Sequence, residues 1–481
     1  MSVSAITAPD LSAGDAPAAG RDPSIRISPR HPRYFETADG RPFIPIGLNL
    51  CFPRFAPSAG EGLACYARWL DALSAHGGNF ARLWLGHSFF DIEPLRAGRF
   101  AEEPARRLDA VLGMARERGV RVKITLEHFR TIAPRAEAEI FPGAASFSRS
   151  VYAKASGGFA DDMAGFLDRP ECRRRYLEKL DWLAARYASH PAIFGWELWN
   201  EMNAVEAPRQ SWLDWTRVML PELRRRFPGH LVMQSLGSFD SDEQTSNYAD
   251  YARLPGGDLV QVHRYLDPGA ALPCCQGPMD RLCADAVNTL LGMAPGKPVL
   301  LAECGAVEAR HAAPSRLYET DTEGILLHDQ LFAPFFAGAA GPGQAWHWDF
   351  YVERHGLWHH FRRFAEAVGD FDPIDEAARP AFWQTPRLRV HALLGRRVSL
   401  LWLRDRACDW SGEFVEGRPA LPVAGEELAC DAGTDAPRLA SYFDPWSGAS
   451  GRCGSAGGGR VLLPAFRRSL VLRLETKGGA K

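Results

Sequence analysis

A (β/α)8 barrel followed by a small antiparallel β-sandwich is the fold class this sequence predicts, and three observations carry the prediction. Short apolar runs alternate with amphipathic stretches of helical period over most of the chain, the mark of a parallel sheet built from βα units. Two of these runs end on a glutamate, at Glu201 and Glu303, where a barrel of this kind presents its reactive groups. Beyond about residue 385 the helical period stops, and strand-like runs separated by turn residues replace it.

The chain has 481 residues, enough for a barrel of roughly 250 residues or more and a second, smaller domain. No apolar run reaches the roughly 18 residues of a membrane span. A net charge of -2 leaves neither a nucleic-acid footprint nor an electrostatic membrane anchor, so neither partner is expected. Ten cysteines in so long a chain do not form a disulfide scaffold. Cys51 and Cys304 read as buried free thiols, while Cys274, Cys275 and Cys283 lack the paired spacing of a zinc site. No metal or cofactor is expected. Residues 1–28 are rich in Ala, Pro, Ser and Gly and read as a flexible segment. They lack the basic and apolar regions of a secretory signal, so cytoplasmic residence is the expectation.

A turn at residues 38–42 precedes the first strand, 43–50, and a helix over 62–75 closes on Gly77-Gly78. Strand, helix and strand follow at 80–85, 105–118 and 120–126. Residues 127–168 form a connection too long to be bare, and its Phe141, Phe147, Tyr152 and Phe159 are expected to wall off one end of a cleft. A helix over 173–187 places Tyr176, Leu177, Leu180, Leu183 and Tyr187 on one face. The fourth strand, 193–199, and a helix over 212–226 come next. Strands at 231–235, 259–263, 299–302 and 344–348 complete the eight, with helices at 280–291, 324–336 and 357–368. The barrel is placed at 29–372 and the sandwich at 385–481, the latter with strands at 398–403, 439–443, 461–466 and 470–474.

Two glutamates at strand ends facing one barrel mouth suit glycoside cleavage with retention. One carboxyl protonates the departing oxygen, and the other attacks the anomeric carbon from about 5–5.5 Å away. With these residues in view, the chain resembles the retaining glycoside hydrolases of clan A, and family 5, the cellulase and mannanase family, over residues 34–367. The resemblance implies that Glu201, in the pair Asn200-Glu201, is the acid/base and that Glu303 is the nucleophile. It assigns Arg82 from Asn79-Phe80-Ala81-Arg82, His128 from Leu126-Glu127-His128, and His263 and Tyr265 from His263-Arg264-Tyr265 to the substrate site. Asn200 would bond the sugar 2-hydroxyl. An aromatic platform follows from Trp346-His347-Trp348, with Trp348 as the expected floor and Trp346 beside it. Met202 stands where the family commonly has Pro.

The expected function is thus a retaining β-glycosidase with a carbohydrate substrate: a β-glucoside, β-mannoside or related oligo- or polysaccharide. Glu201 needs a raised pKa, from burial or from the charge of Glu303, while Arg82 and the Tyr265 hydroxyl keep Glu303 ionised. Each residue also has a plainer reading. Arg82 neutralises Glu197, His128 and His263 are core histidines, and Trp196, Trp199 and Trp346 are packing. Glu127, Asp349 and Glu308 are rival carboxylates. The alternatives in function are transglycosylation by the same glutamates, a non-catalytic carbohydrate-binding barrel, and a metal-dependent hydrolase. The last lacks a His-x-His pair at residues 48–50. The sequence does not define the sugar, the linkage or the oligomeric state.

Overall fold

The computed structural model describes residues 24–128, 132, 150–429, 438–457 and 459–476. Residues 1–23 of the segment expected to be flexible lie outside this set, as do Phe141 and Phe147. The chain opens with a small antiparallel sheet, β1 (Ile25–Ile27), β2 (Phe35–Thr37) and β3 (Pro42–Phe43), so the stretch expected to be flexible already contains a strand. This sheet plugs the floor of the barrel. Tyr34 and Phe35 pack with Phe80, Phe194, Leu231 and Leu300, which stand at or near the starts of four barrel strands.

Five parallel strands follow in spatial order, β4 (Gly47–Asn49), β5 (Phe80–Trp84), β6 (Arg121–Thr125), β7 (Ile193–Glu197) and β8 (Leu231–Met233). A second parallel pair comprises β9 (Val260–Leu266) and β10 (Val299–Ala306). The eighth position, expected as a strand at 344–348, is held by a single bridge between Cys304 and Ala345. Backbone bonds still close the ring: Gln344 N donates to Leu301 O at 2.9 Å, and Asn49 N to Ala345 O at 3.1 Å. The chain then winds into a π-helical turn over Trp348–Glu353.

The outer layer consists of α1 (Ala59–Ala75), α2 (Glu102–Glu117), α3 (Met163–Asp168), α4 (Pro170–Tyr187), α5 (Arg209–Arg226), α6 (Asp242–Ala252), α7 (Met279–Met293), α8 (Leu317–Thr320), α9 (Ile325–Phe336) and α10 (His359–Val368). The helices start and bury as their sequences dictate. Ser58 caps α1 by accepting from Glu61 N and donating to Glu61 Oε2, and Pro170 opens α4. Helix α1 turns Tyr66, Trp69, Leu70 and Leu73 inward, at the spacing of one helical face.

Among the described residues, nine strands form the C-terminal region: β11 (Arg379–Gln384), β12 (Leu388–Leu394), β13 (Val398–Asp405), β14 (Glu427–Ala429), β15 (Arg438–Phe443), β16 (Ser450–Arg452), β17 (Gly454–Gly457), β18 (Arg460–Leu462) and β19 (Ser469–Thr476). Six build one antiparallel sheet, ordered β11-β12-β13-β19-β15-β16, and three build another, β14-β18-β17. The larger sheet begins at Arg379, ahead of the boundary expected at 385, because Pro380 and the half-exposed alternation of β11 hide an edge strand. Strand period decides which core each residue joins. Leu400 and Trp402 face the barrel helices, whereas Leu401 and Leu403 face Leu428 and Phe466 inside the sandwich. No helix among the described residues is long and apolar enough to cross a membrane.

Candidate active site

Arg82 lies within β5, in register with Asn49 on β4 and Lys123 on β6, and its side chain is fully buried. Five donors on a rigid fork let one guanidinium serve several acceptors. Nε and Nη2 hold Glu197 at 2.9 and 3.0 Å, Nη2 also donates to Asn200 Oδ1 at 2.7 Å, and Nη1 donates to Glu303 Oε1. Both readings of Arg82 thus hold in one side chain: it neutralises Glu197 and it grips Glu303. Thr125 donates to Glu197 at 2.8 Å, and the buried Lys123 ammonium lies 3.7 Å from the same carboxylate.

Strands β9 and β10 supply the opposite wall. His263 and Tyr265 are two apart on β9 and share a face, while Arg264 between them points away. The Tyr265 hydroxyl donates to Glu303 Oε2 at 2.8 Å, and His263 Nδ1 is 2.7 Å from Glu201 Oε1 and 3.5 Å from Glu303 Oε2. Glu303 falls inside β10 beside a register shift after Leu301, and its backbone pairs with that of His263.

Glu201 lies beyond the end of β7 in a left-handed conformation, φ 52° and ψ 55°. A non-glycine residue there carries strain of order 1–3 kcal/mol, a condition that concentrates at functional sites. Its N–H donates to Ser235 Oγ at 3.1 Å. Oxygens of Glu201 and Glu303 approach within 4.8 Å of each other, with His263 Nδ1 inside the same distance of both.

Burial drives the Glu201 carboxyl well above its ordinary pKa, and the charge of Glu303 adds to the rise. Burial also raises Glu303, but Arg82 and the Tyr265 hydroxyl oppose it. Burial thus lifts both carboxyls, Glu201 the further of the two. Burial, with Arg82 and Lys123 nearby, depresses His263 well below the usual histidine range, so it is neutral.

These groups open on a cavity of about 330 Å³. One half is aromatic, with Phe52, Trp84 and Trp346, alongside Arg54 and His347. The other half is polar, with Asn203, Ser238, Asp240, Gln244 and His311. Asn200 reaches the cavity, and its Nδ2 has no partner among the described residues. Two groups of donors are close enough to hold a metal ion, Glu201–His263–Glu303 and Asp240–Asp267–His311. In the first, Arg82 and Tyr265 already satisfy Glu303, so a cation would displace a cation.

Three expectations need correction. Trp348 is not the floor: it is fully buried behind Phe52 and Trp69, and Trp346 is the residue at the cavity. In a strand the two would share a face, but the π-helical turn starting at Trp348 rotates it away. His128 does not reach the cavity but lies behind Trp84, their rings stacked at 5.0 Å. Tyr152 and Phe159 are not a cleft wall either. Tyr152 is buried, bonded to Glu93 at 2.9 Å, and Phe159 lies under Arg175. Of the rival carboxylates, Glu127 pairs with Lys179, Asp349 with Arg54 at 2.7 Å, and Glu308 accepts from Arg316 N at 2.8 Å. Trp196 and Trp199 are core. The polar half-wall escaped the sequence reading because, apart from Gln244 on α6, it comes from short turns and loops, which carry no periodic signal.

No family model and no curated protein sequence matches the chain. Solved structures do. A protein described as a glycoside hydrolase superposes with a TM-score of 0.59 at 12% identity, over 95% of this chain and 98% of that one. A glycoside hydrolase family 5 protein from Bacteroides vulgatus gives 0.59 at 14% identity, over 94% and 93%. An endo-1,4-β-mannanase from Rhizomucor miehei gives 0.50 at 16%, over 71% of this chain and 99% of its own. The chain has the barrel-plus-sandwich fold of the first two over nearly its full length.

Proposed function

We propose that the protein is a retaining β-glycosidase, and one observation carries the reading: two carboxyls, Glu303 buried and Glu201 largely so and raised the further, lie within 4.8 Å across a barrel mouth. That spacing suits direct attack, since an inverting pair needs about 6.5–9.5 Å to admit a water between them. Glu303, ionised against Arg82 and Tyr265, attacks the anomeric carbon as the bond to the leaving oxygen breaks. Glu201 gives that oxygen its proton, then takes one from the water that releases the sugar from Glu303. Asn200 Nδ2 serves the 2-hydroxyl, while the half-buried Trp346 ring supports the C–H face of the sugar. A β-glucoside, β-mannoside or related oligosaccharide is the substrate class.

The test is Glu303→Ala assayed on aryl β-glycosides, glucosides and mannosides included. Turnover should vanish, and azide should restore it with an α-glycosyl azide as product. Undiminished turnover in this variant would sink the assignment.

A further inference from the structure

The turn after β9 carries two adjacent thiols that the glycosidase reading does not use, Cys274 and Cys275, in the 3-10 turn Pro273–Gln276. Arg264, the β9 residue pointing away from the mouth, is 1% exposed, and its guanidinium lies over Phe239 at 4.8 Å. Its Nη1 donates to Cys274 Sγ at 2.9 Å and to Asp285 Oδ2 on α7 at 3.2 Å. Cys274 is half-buried, whereas Cys275 is fully buried, within hydrogen-bond reach of both the Phe239 carbonyl and the Cys274 sulfur. A buried cation set against a partly open sulfur is the arrangement that makes a thiolate.

We propose that Cys274 is a nucleophilic thiolate, held by Arg264, and that it is a site of exchange with low-molecular-weight disulfides. The charged groups facing it are Arg264 from β9 and Asp285 from α7, with the Cys275 thiol beside it on the turn. The Cys275 hydrogen bond and Arg264 draw the Cys274 thiol down to about 7, against burial and Asp285. In the exchange, the Cys274 sulfur attacks one sulfur of the disulfide R–S–S–R. A Cys274–S–S–R bond forms, and R–S⁻ leaves with the electron pair. Onward closure to Cys275 is disfavoured, because neighbouring Cα atoms lie about 3.8 Å apart and a relaxed disulfide spans about 4.4–6.8 Å. The mixed disulfide therefore persists. It also has a route to the cleft: Leu272 N donates to Asp240 O at 2.8 Å and Asp267 N to Cys275 O at 3.0 Å. Asp267 in turn accepts from Arg310 N at 2.9 Å, next to His311 on the cavity wall.

The experiment alkylates the full-length protein with iodoacetamide from about pH 5 to about pH 9 and reads each cysteine by peptide mass. Cys65 and Cys453, the other half-buried thiols among the described residues, are internal references. Cys274 should label with a midpoint near 7, more than about one pH unit below both references. Asp285→Asn, at a half-exposed position, should lower that midpoint further by removing the opposing charge. Hydroxyethyl disulfide should place one retained adduct on Cys274 and none on the Cys274→Ser protein. A Cys274 midpoint at or above the references, a midpoint unmoved by Asp285→Asn, or adducts shared with Cys65 and Cys453 would each overturn the proposal. These readouts need no glycosidase activity, so they stand apart from the assignment of Glu303.

Discussion

The barrel mouth and the seam between barrel and sandwich both bury arginines against carboxylates, but they balance charge differently. At the seam the counts match. Arg389 forks onto Asp280 at 2.6 and 2.8 Å, Arg404 forks onto Asp329 at 2.8 and 3.2 Å, and His391 adds a bond to Asp280 at 3.1 Å. At the mouth Arg82 and Lys123 face Glu197, Glu201 and Glu303, and burial draws Lys123 down to about 7. The forks do not offset burial equally: His391 and Arg389 hold Asp280 below the usual range, whereas burial lifts Asp329 to about 7 against the pull of Arg404. At the mouth the surplus carboxyl, Glu201, has no fork of its own, and burial with the charge of Glu303 drives it well above the usual range. Matched burial makes a joint, and surplus burial makes a group that holds its proton.

Glu201→Gln tests this contrast most strongly. Turnover on substrates with poor leaving groups should fall by about 10²–10⁴-fold, the usual weight of a general acid. The midpoint of thermal unfolding should hold or rise, since burial keeps this carboxyl protonated and a neutral amide replaces it without breaking an ion pair. A clear loss of stability would erase the distinction from the seam. Asp280→Asn should do the reverse, costing about 3–5 kcal/mol in urea unfolding while the folded protein keeps its kcat. Burial opposes ionisation of Asp280, but His391 and Arg389 more than offset it and hold the group below the usual range. The stability from this pairing is therefore present above the unfolded value of about 3.9 and is lost as pH falls through the lower folded one. The gap between wild type and variant should narrow only in strong acid.

The two tryptophans after the eighth position sharpen the comparison at smaller scale. Trp348→Ala should cost about 3–5 kcal/mol of stability, as a fully buried aromatic does. Trp346→Ala should raise KM about threefold to tenfold and cost less stability than Trp348→Ala, since its ring packs on Trp84 and Trp348 but leaves part of itself to the cavity. Tyr265→Phe should have the smallest effect. Its hydroxyl bonds the charged form of Glu303, so without it the carboxyl takes up its proton at higher pH. The acid limb of the pH–rate profile should move up by about one to two units.

The parts of the fold that are legible in the sequence are those with a period. Residues 193–197 read as a buried strand and are one, and the same apolar logic located β5, β6, β9 and β10 to within a few residues. Glu303 was legible as a carboxylate ending a buried run, and Arg82, His263 and Tyr265 through the family resemblance; β5, β9 and β10 bring all four to one mouth. Trp348 came from the family's aromatic platform, and the resemblance carries no sign that the backbone stops being extended at His347 and turns Trp348 away. Asp240, the α6 residue Gln244 and His311 in a short 3-10 turn stand on connections whose approach to the mouth depends on the whole ring. The edge strand β11, with a proline and mixed exposure, offered no clean alternation to read.

Glu201 occupies a backbone conformation that glycine or asparagine adopts more readily than glutamate. A library randomised at this codon and sorted only for heat resistance should therefore enrich Gly and Asn, since both adopt this φ with less strain and neither buries an ionisable group. Each round of such sorting would lose the proton donor. Variants selected for durability alone would drift toward a robust barrel that still folds and no longer turns over, so screens on this scaffold need an activity gate from the first round.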